Sequence, residues 1–589
     1  MLPRYCITVA SGAVAAIAIV LSALLGAGVT RATIGAAPVS SDPYTNTTSQ
    51  HQTEVEPDTF AFGSTVVSAF QVGRFFDGGA SNIGWATSID GGVTWTNGFL
   101  PSLTVFSTPS GTAGRVSDPA VAYDATHGVW LITSLSLTSA GVVNGIVVSR
   151  SSDGTHWGAP VNVAPGSGYD KEWIVCDNGA GSPFKGRCYT SWDNFGANNT
   201  LLTSTSLDGG LTWGAPIAAV DGATGLGTQP LVQPNGTLII PSLGVGAFGG
   251  SIISIRSTNG GASFSAAVVI SSISVHPTVA MRAGALPSAE IDAGGKIYVA
   301  WHDCRFRAGC AANDIVYSAS ADGIAWSAVS RVPIDPLTSG VDHFIPGLAV
   351  DTTTSGAAGR IGLVYYYFSS AACTTSTCQL NAGFVASSDG GATWTPPKRL
   401  NANAMSVSWL PDTNQGRMVG DYIAAVFTPG AVASVIPIAS APSGAAFNLA
   451  MYSDRELWDS DGDWCPDVRE AGPDHRTGGQ RSANNPYDFF DVPAPVLLPG
   501  SVSGTPDRVI SIRDVIAILA YVGTSAQHPT TPNGAGATYG SDLNNNGLQD
   551  GREYDRSSGA APWAPGPPDG AVSIGDAIIA LNSVGDNCN

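Results

Sequence analysis

Residues 88–95 read SIDGGVTW, and altered copies follow as SSDGTHW (151–157), SLDGGLTW (206–213), STNGGASF (257–264), SADGIAW (320–326) and SSDGGATW (387–394). Their starts lie 63, 55, 51, 63 and 67 residues apart. Such a period suits a unit of four short strands rather than a helical pair. Each copy begins where a strand such as NIGWATS or FVASS ends, and its Asp-Gly core, Asn-Gly in the fourth copy, supplies the positive φ that a tight hairpin turn requires. Asp90 is placed to accept hydrogen bonds from the backbone N–H groups that follow it, and Trp95 to lie back against a neighbouring unit. Asn259 and Phe264 in the fourth copy keep turn and packing without carboxylate or indole. The motif therefore reads as a rivet repeated six times, not as six active sites.

A second repeat precedes each copy. EPDTFAF (from Glu56), DPAVAYD (from Asp118), QPLVQPN (from Gln229), LPSAEID (from Leu286) and IPGLAVD (from Ile345) share a proline in second place. KEWIVCD (from Lys171) and GDYIAAV (from Gly420) fill the same slot without it. Each leads through a turn into an apolar strand such as KIYVAWHD or RIGLVYYYF. Seven such openings predict an all-β chain, a radial array of four-stranded antiparallel sheets. Seven blades follow from the spacing, with six as the alternative. The seventh unit, ending in FNLAMYSD, lacks the turn motif, so its outer strand is either missing or supplied by the N-terminal segment.

The pattern S-x-D-x-G-x-T-W resembles the Asp-box, or BNR repeat, of bacterial sialidases and related β-propellers, over about 400 residues. The box also occurs in propellers of other chemistry, so it speaks for architecture. The resemblance implies a sialidase site of three arginines on a substrate carboxylate, a tyrosine nucleophile backed by a glutamate, and an aspartate as acid/base. An arginine fork meets a carboxylate with two hydrogen bonds, which is why that chemistry uses it. The match departs from the family: no Arg-Ile-Pro stretch exists, and HFIP (343–346) is the nearest string.

Chemistry in a propeller gathers at the axis, on the face away from the box turns. Arg74, Asp77, Arg115, Asp118, Asp170, Lys171, Glu172, Arg282, His302, Asp303, Arg305, Asp342, His343, Arg417, Asp421 and Tyr422 would ring it. Among these, Arg74, Arg305 and Arg417 form a candidate carboxylate clamp, with Asp118 as acid and Tyr422 as nucleophile. Asp303 and Arg305 share the Cys304–Cys310 loop and can equally pair with each other. Glu290 falls mid-strand, which favours a structural role.

The bulk composition sets the compartment and excludes partners. The formal net charge is −19 and only 12% of residues are charged, so nucleic acid is not a partner. Residues 1–37 hold Arg4 and an apolar run of 23 residues, read as a signal peptide or uncleaved N-terminal anchor, so the chain is secreted or cell-surface. Residues 38–53 read as a linker and 54–455 as the propeller. Eight cysteines remain beyond Cys6: three close pairs and two that bracket the C-terminal region, economically three loop staples and one clasp.

Residues 456–589 form an acidic module. From 454 onward there are 19 Asp/Glu against 8 Arg and no Lys, a net −11. DSDGDWCPDVRE places Asp459, Asp461, Asp463, Asp467 and Glu470 at positions 1, 3, 5, 9 and 12 of an EF-hand-like loop. DLNNNGLQDGRE repeats this with Asp542, Asn544, Asn546, Asp550 and Glu553, and the peptide oxygens of Cys465 and Leu548 stand at position 7. Alternating oxygen donors of this kind fold around a hard cation, here Ca2+. SIRDVIAILAYVG (511–523) and SIGDAIIALNSVG (573–585) agree at seven of thirteen positions and form short amphipathic helices. This duplication resembles a dockerin, which implies calcium binding and a cohesin-like protein partner. The leading ligand positions are occupied by serine, threonine and proline, leaving Asp507, Asp514, Asp569 and Asp576 as weaker ligands.

Two functions remain open on sequence alone: a non-catalytic propeller binding a glycan or cell-surface ligand, or an exo-sialidase-type glycoside hydrolase.

Overall fold

Strand 361–368, IGLVYYYF, shows how the chain builds its core. Leu363 and Tyr365 enter one apolar cluster with Tyr298, Ala300 and Ile315, while Val364, Tyr366 and Phe368 enter another with Ile423, Val432 and Ile436. Side chains of a strand alternate between faces. Both faces here are buried, so the run reads as continuously apolar. The same holds for the other second strands, each sandwiched between the sheet before it and the sheet after it.

The protein is described by a computed structural model covering residues 37–444, 446–460, 465–483, 485, 487–492, 508–525, 539, 550–557, 559, 561 and 563–588. The leader or anchor expected over 1–37 lies, but for its last residue, outside the described residues. Among the described residues no helix is long and apolar enough to cross a membrane.

The fold is predominantly antiparallel β and propeller-like. Sheet I holds Glu54–Phe62, Thr65–Arg74, Ala80–Ser88 and Thr96–Phe99. Sheet II holds Arg115–Asp124, Val129–Leu137, Val143–Ser151 and Val161–Pro165, and meets sheet I through the single pair Ala80 and Val116. Sheet III runs Tyr169–Cys176, Cys188–Asn194, Thr200–Ser206 and Ile217–Ala218. In sheet IV two short pieces, Gly225–Leu226 and Leu231–Val232, pair with Leu238–Gly244, followed by Ser251–Ser257 and Val268–Ser272. Sheet V contains Ser288–Ile291, Ile297–Asp303, Asp314–Ser320 and Ser330–Arg331. Sheet VI contains Asp342–Val350, Ile361–Phe368 and Gln379–Ser387, edged by Lys398–Arg399 and Met405–Ser406. Sheet VII contains Ala424–Thr428, Ala431–Ala439 and Leu449–Leu457, and takes its fourth strand, Ala37–Pro38, from the N-terminal end of the described chain. The adjoining segment packs closely too: Val39 is buried and donates its N–H to Met451, and Asp42 accepts from the backbone of Tyr44 and Gln52.

The six boxes fill the turns between third and outer strands. Asp90 accepts from the Val93 and Thr94 backbone at 3.1 and 2.8 Å and from the Thr94 hydroxyl at 2.6 Å. Against a desolvation cost, those hydrogen bonds and that of Ser88 hold its carboxyl down at about 2. Asn259 accepts from Ser263 N in the same way, and Phe264 is buried. A backbone carbonyl of every box also accepts a hydrogen bond from a side chain of the preceding sheet. The donors are Arg455 to Gly91, Thr87 to Gly154, Arg150 to Gly209, Arg187 to Gly260, Gln233 to Ala321 and Tyr317 to Gly391, at 2.6 to 3.0 Å. The first of these joins sheet VII to sheet I.

The cysteines pair as three staples, Cys176–Cys188, Cys304–Cys310 and Cys373–Cys378, and one clasp, Cys465–Cys588. In the C-terminal module the helices Ile512–Tyr521 and Ile574–Asn582 pack together, each started by a capping box: Ser511 with Asp514, and Ser573 with Asp576.

Candidate functional site

The first strand of each sheet lies innermost, and the second sequence repeat marks where it reaches the axis. Glu56, Asp118, Lys171 and Ile345, the first letters of four copies, all have left-handed backbones, with φ of 55, 48, 51 and 49°. Gly420, in the same slot, has φ 154°. A side chain pays a steric cost in that region, and such positions persist only where the surroundings enforce them. In sheets I, II, III and VI the pairing register slips across this residue, a bulge that turns it inward.

Lys171 is the centre of what results. Its ammonium lies 3.1 Å from Glu56 Oε1, 3.0 Å from Asp118 Oδ1 and 2.7 Å from Asp421 Oδ2, and all four side chains are at most 7% exposed. Arg282 grips Asp421 with two hydrogen bonds, Nε to Oδ1 at 2.8 Å and Nη2 to Oδ2. Gln71 donates to the other oxygen of Glu56. Burial works against the Lys171 charge, but Asp118, Asp421 and Glu56 outweigh it and raise its pKa well above the ordinary value. For Asp421 the desolvation cost is likewise outweighed, by Lys171 and Arg282, which hold the carboxyl below its usual range. Glu56 goes the other way: burial dominates and pushes it up to about 8.

Around this hub stand further acids. Glu172 is 1% exposed, and neither carboxyl oxygen has a hydrogen-bond partner. Burial, then the charges of Asp118 and Asp170, raise its pKa well above the ordinary value. Asp170 and Asp193 face each other across sheet III, and burial raises both, Asp193 to about 8. Tyr422 packs edge-on against Trp173 at 5.0 Å, and its hydroxyl donates to Pro119 O at 3.3 Å. Burial raises that phenol well above 10. A small cavity beside Lys171 is bounded by Trp173, Gln229, Leu286 and Tyr422.

The five residues read as a sialidase-like constellation do not form one site. Arg74, Asp118 and Tyr422 share the axis, where the charge of Arg282 helps to depress the Arg74 guanidinium after burial has done so. Arg305 is bound to Asp303, Ser271 and Ser272 within its own sheet and the one before. Arg417 donates to Leu410 O at 2.7 Å, with Asp412 3.8 Å away. The pairing of Asp303 with Arg305 is thus the one realised, and Glu290 is within a strand, paired with Tyr298. Lys171, Arg282 and Glu56 were not in that constellation, yet the signal for Glu56 and Lys171 was present: both open a copy of the second repeat. Arg282, in the connection before sheet V, was read with Lys171 among the residues ringing the axis but was given no role in that constellation.

The module residues are only partly described. Asp461, Asp463, Asp507, Asp542, Asn544, Asn546 and Leu548 lie outside the described residues, and only the backbone of Asp550 is described. The last four positions of both loops, Asp467–Glu470 and Asp550–Glu553, form matching single helical turns, and both final glutamates are buried, at 1% and 8% exposure. Buried twelfth-position carboxylates in matching turns fit a hard cation. Asp467 accepts from Ser460 N at 2.7 Å and is 3.3 Å from Arg360, and Cys465 is in the clasp disulfide, which leaves its peptide oxygen as donor. Asp514 and Asp576 serve as helix caps, accepting also from Val492 N and Arg556 N, and Asp569 accepts from Ala571 N. Among the described residues two other triads of donors stand close together. Asp124, Cys176 and Cys188 include a disulfide, and Asp314, Asp335 and His343 are neutralised by Arg307 and Arg331.

No protein-family profile and no curated relative matches the chain. Solved structures similar to it include a protein of unknown function from Dyadobacter fermentans, at 18% identity, 60% of this chain, 99% of that one and a TM-score of 0.38. A Hadza microbial sialidase matches at 17% identity over 54% of this chain and 64% of its own, with a TM-score of 0.36. An α-L-arabinofuranosidase from Fusarium graminearum matches at 12% identity over 58% and 93%, with a TM-score of 0.38. None of these values assigns an activity.

Proposed function

We propose that the chain is an exported glycan-binding protein, a closed seven-bladed propeller that binds without hydrolysing, with a calcium-stabilised C-terminal module that docks to a protein partner. Lys171 is the observation that carries the first part. It occupies the position a substrate would need between Glu56, Asp118 and Asp421, and Arg282 neutralises what remains. A carboxylate clamp requires guanidinium forks facing solvent. Here Arg305 and Arg417 spend theirs on protein oxygens. The run of sheets I to VII, with Arg455 bound to Gly91, supports a ring closed through the N-terminal strand. Four disulfides suit an oxidising, extracytoplasmic compartment. For the module, Glu470 and Glu553 support calcium.

A second reading, a sialidase-type hydrolase, is favoured by one observation: Glu172, a buried carboxyl whose pKa is raised well above the ordinary value, shares the field of Tyr422 and Asp118. Affinity electrophoresis through gels holding soluble polysaccharides, with released sugar measured alongside, separates the two. Retardation with no released sugar is the expected result. Released sugar would establish the second reading, and neither effect would remove both.

A further inference from the structure

Among the described residues four Phe, Tyr or Trp side chains are exposed: Phe62, Phe76, Phe195 and Phe306, at 45, 50, 56 and 36%. Single exposed apolar residues need no explanation. Their placement does, because three of the four occupy the same connection. Phe76 lies between the second and third strands of sheet I, Phe195 between those of sheet III and Phe306 between those of sheet V. In an antiparallel four-stranded unit this connection leaves from one end, while the box turns and Phe62 leave from the other. The exposed phenylalanines therefore share the end at which Lys171 and Arg282 stand, on alternate sheets.

Each of the three loops is held firmly. Phe75, beside Phe76, is buried against the Arg115 guanidinium, which also pairs with Asp77. Phe195 starts a turn closed by Asn198 and Asn199, both left-handed, with Asn199 donating to Asp193 at 2.8 Å. Phe306 is inside the Cys304–Cys310 ring, whose Arg307 is bound to Asp314 and Asp335. A ring presented on a rigid loop loses little entropy on binding. Beside them stand exposed groups that hydrogen-bond hydroxyls: Asp77 and Asn198.

We infer that Phe76, Phe195 and Phe306 are sugar-stacking platforms for an uncharged polysaccharide chain, which deepens the glycan-binding reading above and rests on it. The C–H face of a pyranose is apolar and flat, its rim is hydroxylated, and aromatic rings with a carboxylate or a carboxamide beside them match both. The formal charge of −19 disfavours a polyanionic glycan. Three platforms spaced around one end let a long chain engage more than one at once, so affinity for the polymer exceeds that for a short oligomer.

The test is affinity electrophoresis of the full chain in hydroxyethyl cellulose and galactomannan, with polysialic acid as the charged comparison. Wild type is expected to be retarded by a neutral polymer and not by polysialic acid. The triple variant Phe76→Ala, Phe195→Ala, Phe306→Ala is expected to lose at least tenfold in affinity with an unchanged melting temperature, since the three side chains are exposed. Phe62→Ala, at the opposite end, is expected to bind as wild type does. Wild-type retardation of the triple variant, an equal loss in Phe62→Ala, or preference for polysialic acid would overturn the inference while leaving glycan binding standing. A wild type that no glycan retards would instead remove the reading beneath it.

Discussion

The six box turns and the axial hub both depend on carboxyl groups, and they satisfy them in opposite ways. Asp90 finds its donors within four residues, at Val93 and Thr94, and sits near the surface. Glu56, Asp118 and Asp421 are brought together from positions as far apart as 56 and 421, by a single lysine in a fourth place in the chain. A local arrangement recurs whenever the same letters recur, and tolerates Asn259. A non-local one exists once and has no substitute for its cation.

The largest effect should come from the hub. Lys171→Met leaves three buried carboxyls without their shared cation, a change expected to cost about 3 to 5 kcal/mol in urea unfolding. A loss under about 1 kcal/mol would mean that the acids are already protonated and the hub is not an ion network. Removal of calcium comes next: chelation should lower the melting temperature of the C-terminal module by at least about 5 °C, and Glu470→Gln with Glu553→Gln should abolish the difference. An unchanged melting curve would refute the calcium loops. A box should matter least, with Asp90→Ala costing about 1 kcal/mol and Asp90→Asn close to nothing. A loss from Asp90→Asn as large as that from Lys171→Met would erase the contrast.

The boxes and two buried strand acids outside the hub, Glu290 and Asp58, respond to pH with opposite sign. Asp90 lies at about 2 against 3.8 for the free side chain, so its contribution is present above about pH 4 and is lost as pH falls towards 2. Burial raises Glu290 to about 8 from 4.5 and Asp58 to about 7 from 3.8, so their protonated forms favour folding. That stability is complete below about pH 4 and disappears as pH rises through 7 and 8. The urea midpoint should therefore be highest near about pH 4 and decline as pH rises towards 8, whereas a steady rise to pH 9 would show that the buried acids ionise freely.

The contrast also explains what could be read from the sequence. The boxes, the strand pairs and the disulfides follow from local patterns, namely glycines in turns, alternating apolar residues and close cysteine pairs, whereas the sequence left open whether the fourth strand of sheet VII was missing or borrowed from the N-terminal segment. Glu56, Asp118 and Lys171 were visible as first letters of a repeat, but nothing local said that their side chains meet. Arg305 looked as available as Arg282, and only the fold decides that Asp303 takes one and Asp421 the other. In the module, Asp514 and Asp576 were read only as weaker calcium ligands, and their Ser-x-x-Asp spacing turns out to build capping boxes.

The central claim, that the axis is closed by its own charges and does no hydrolysis, is most directly tested by turnover of a fluorogenic sialoside across pH 4 to 9 by wild type, Tyr422→Phe and Glu172→Gln. The account predicts no turnover above buffer for any of the three. Turnover by wild type that both substitutions abolish would contradict it.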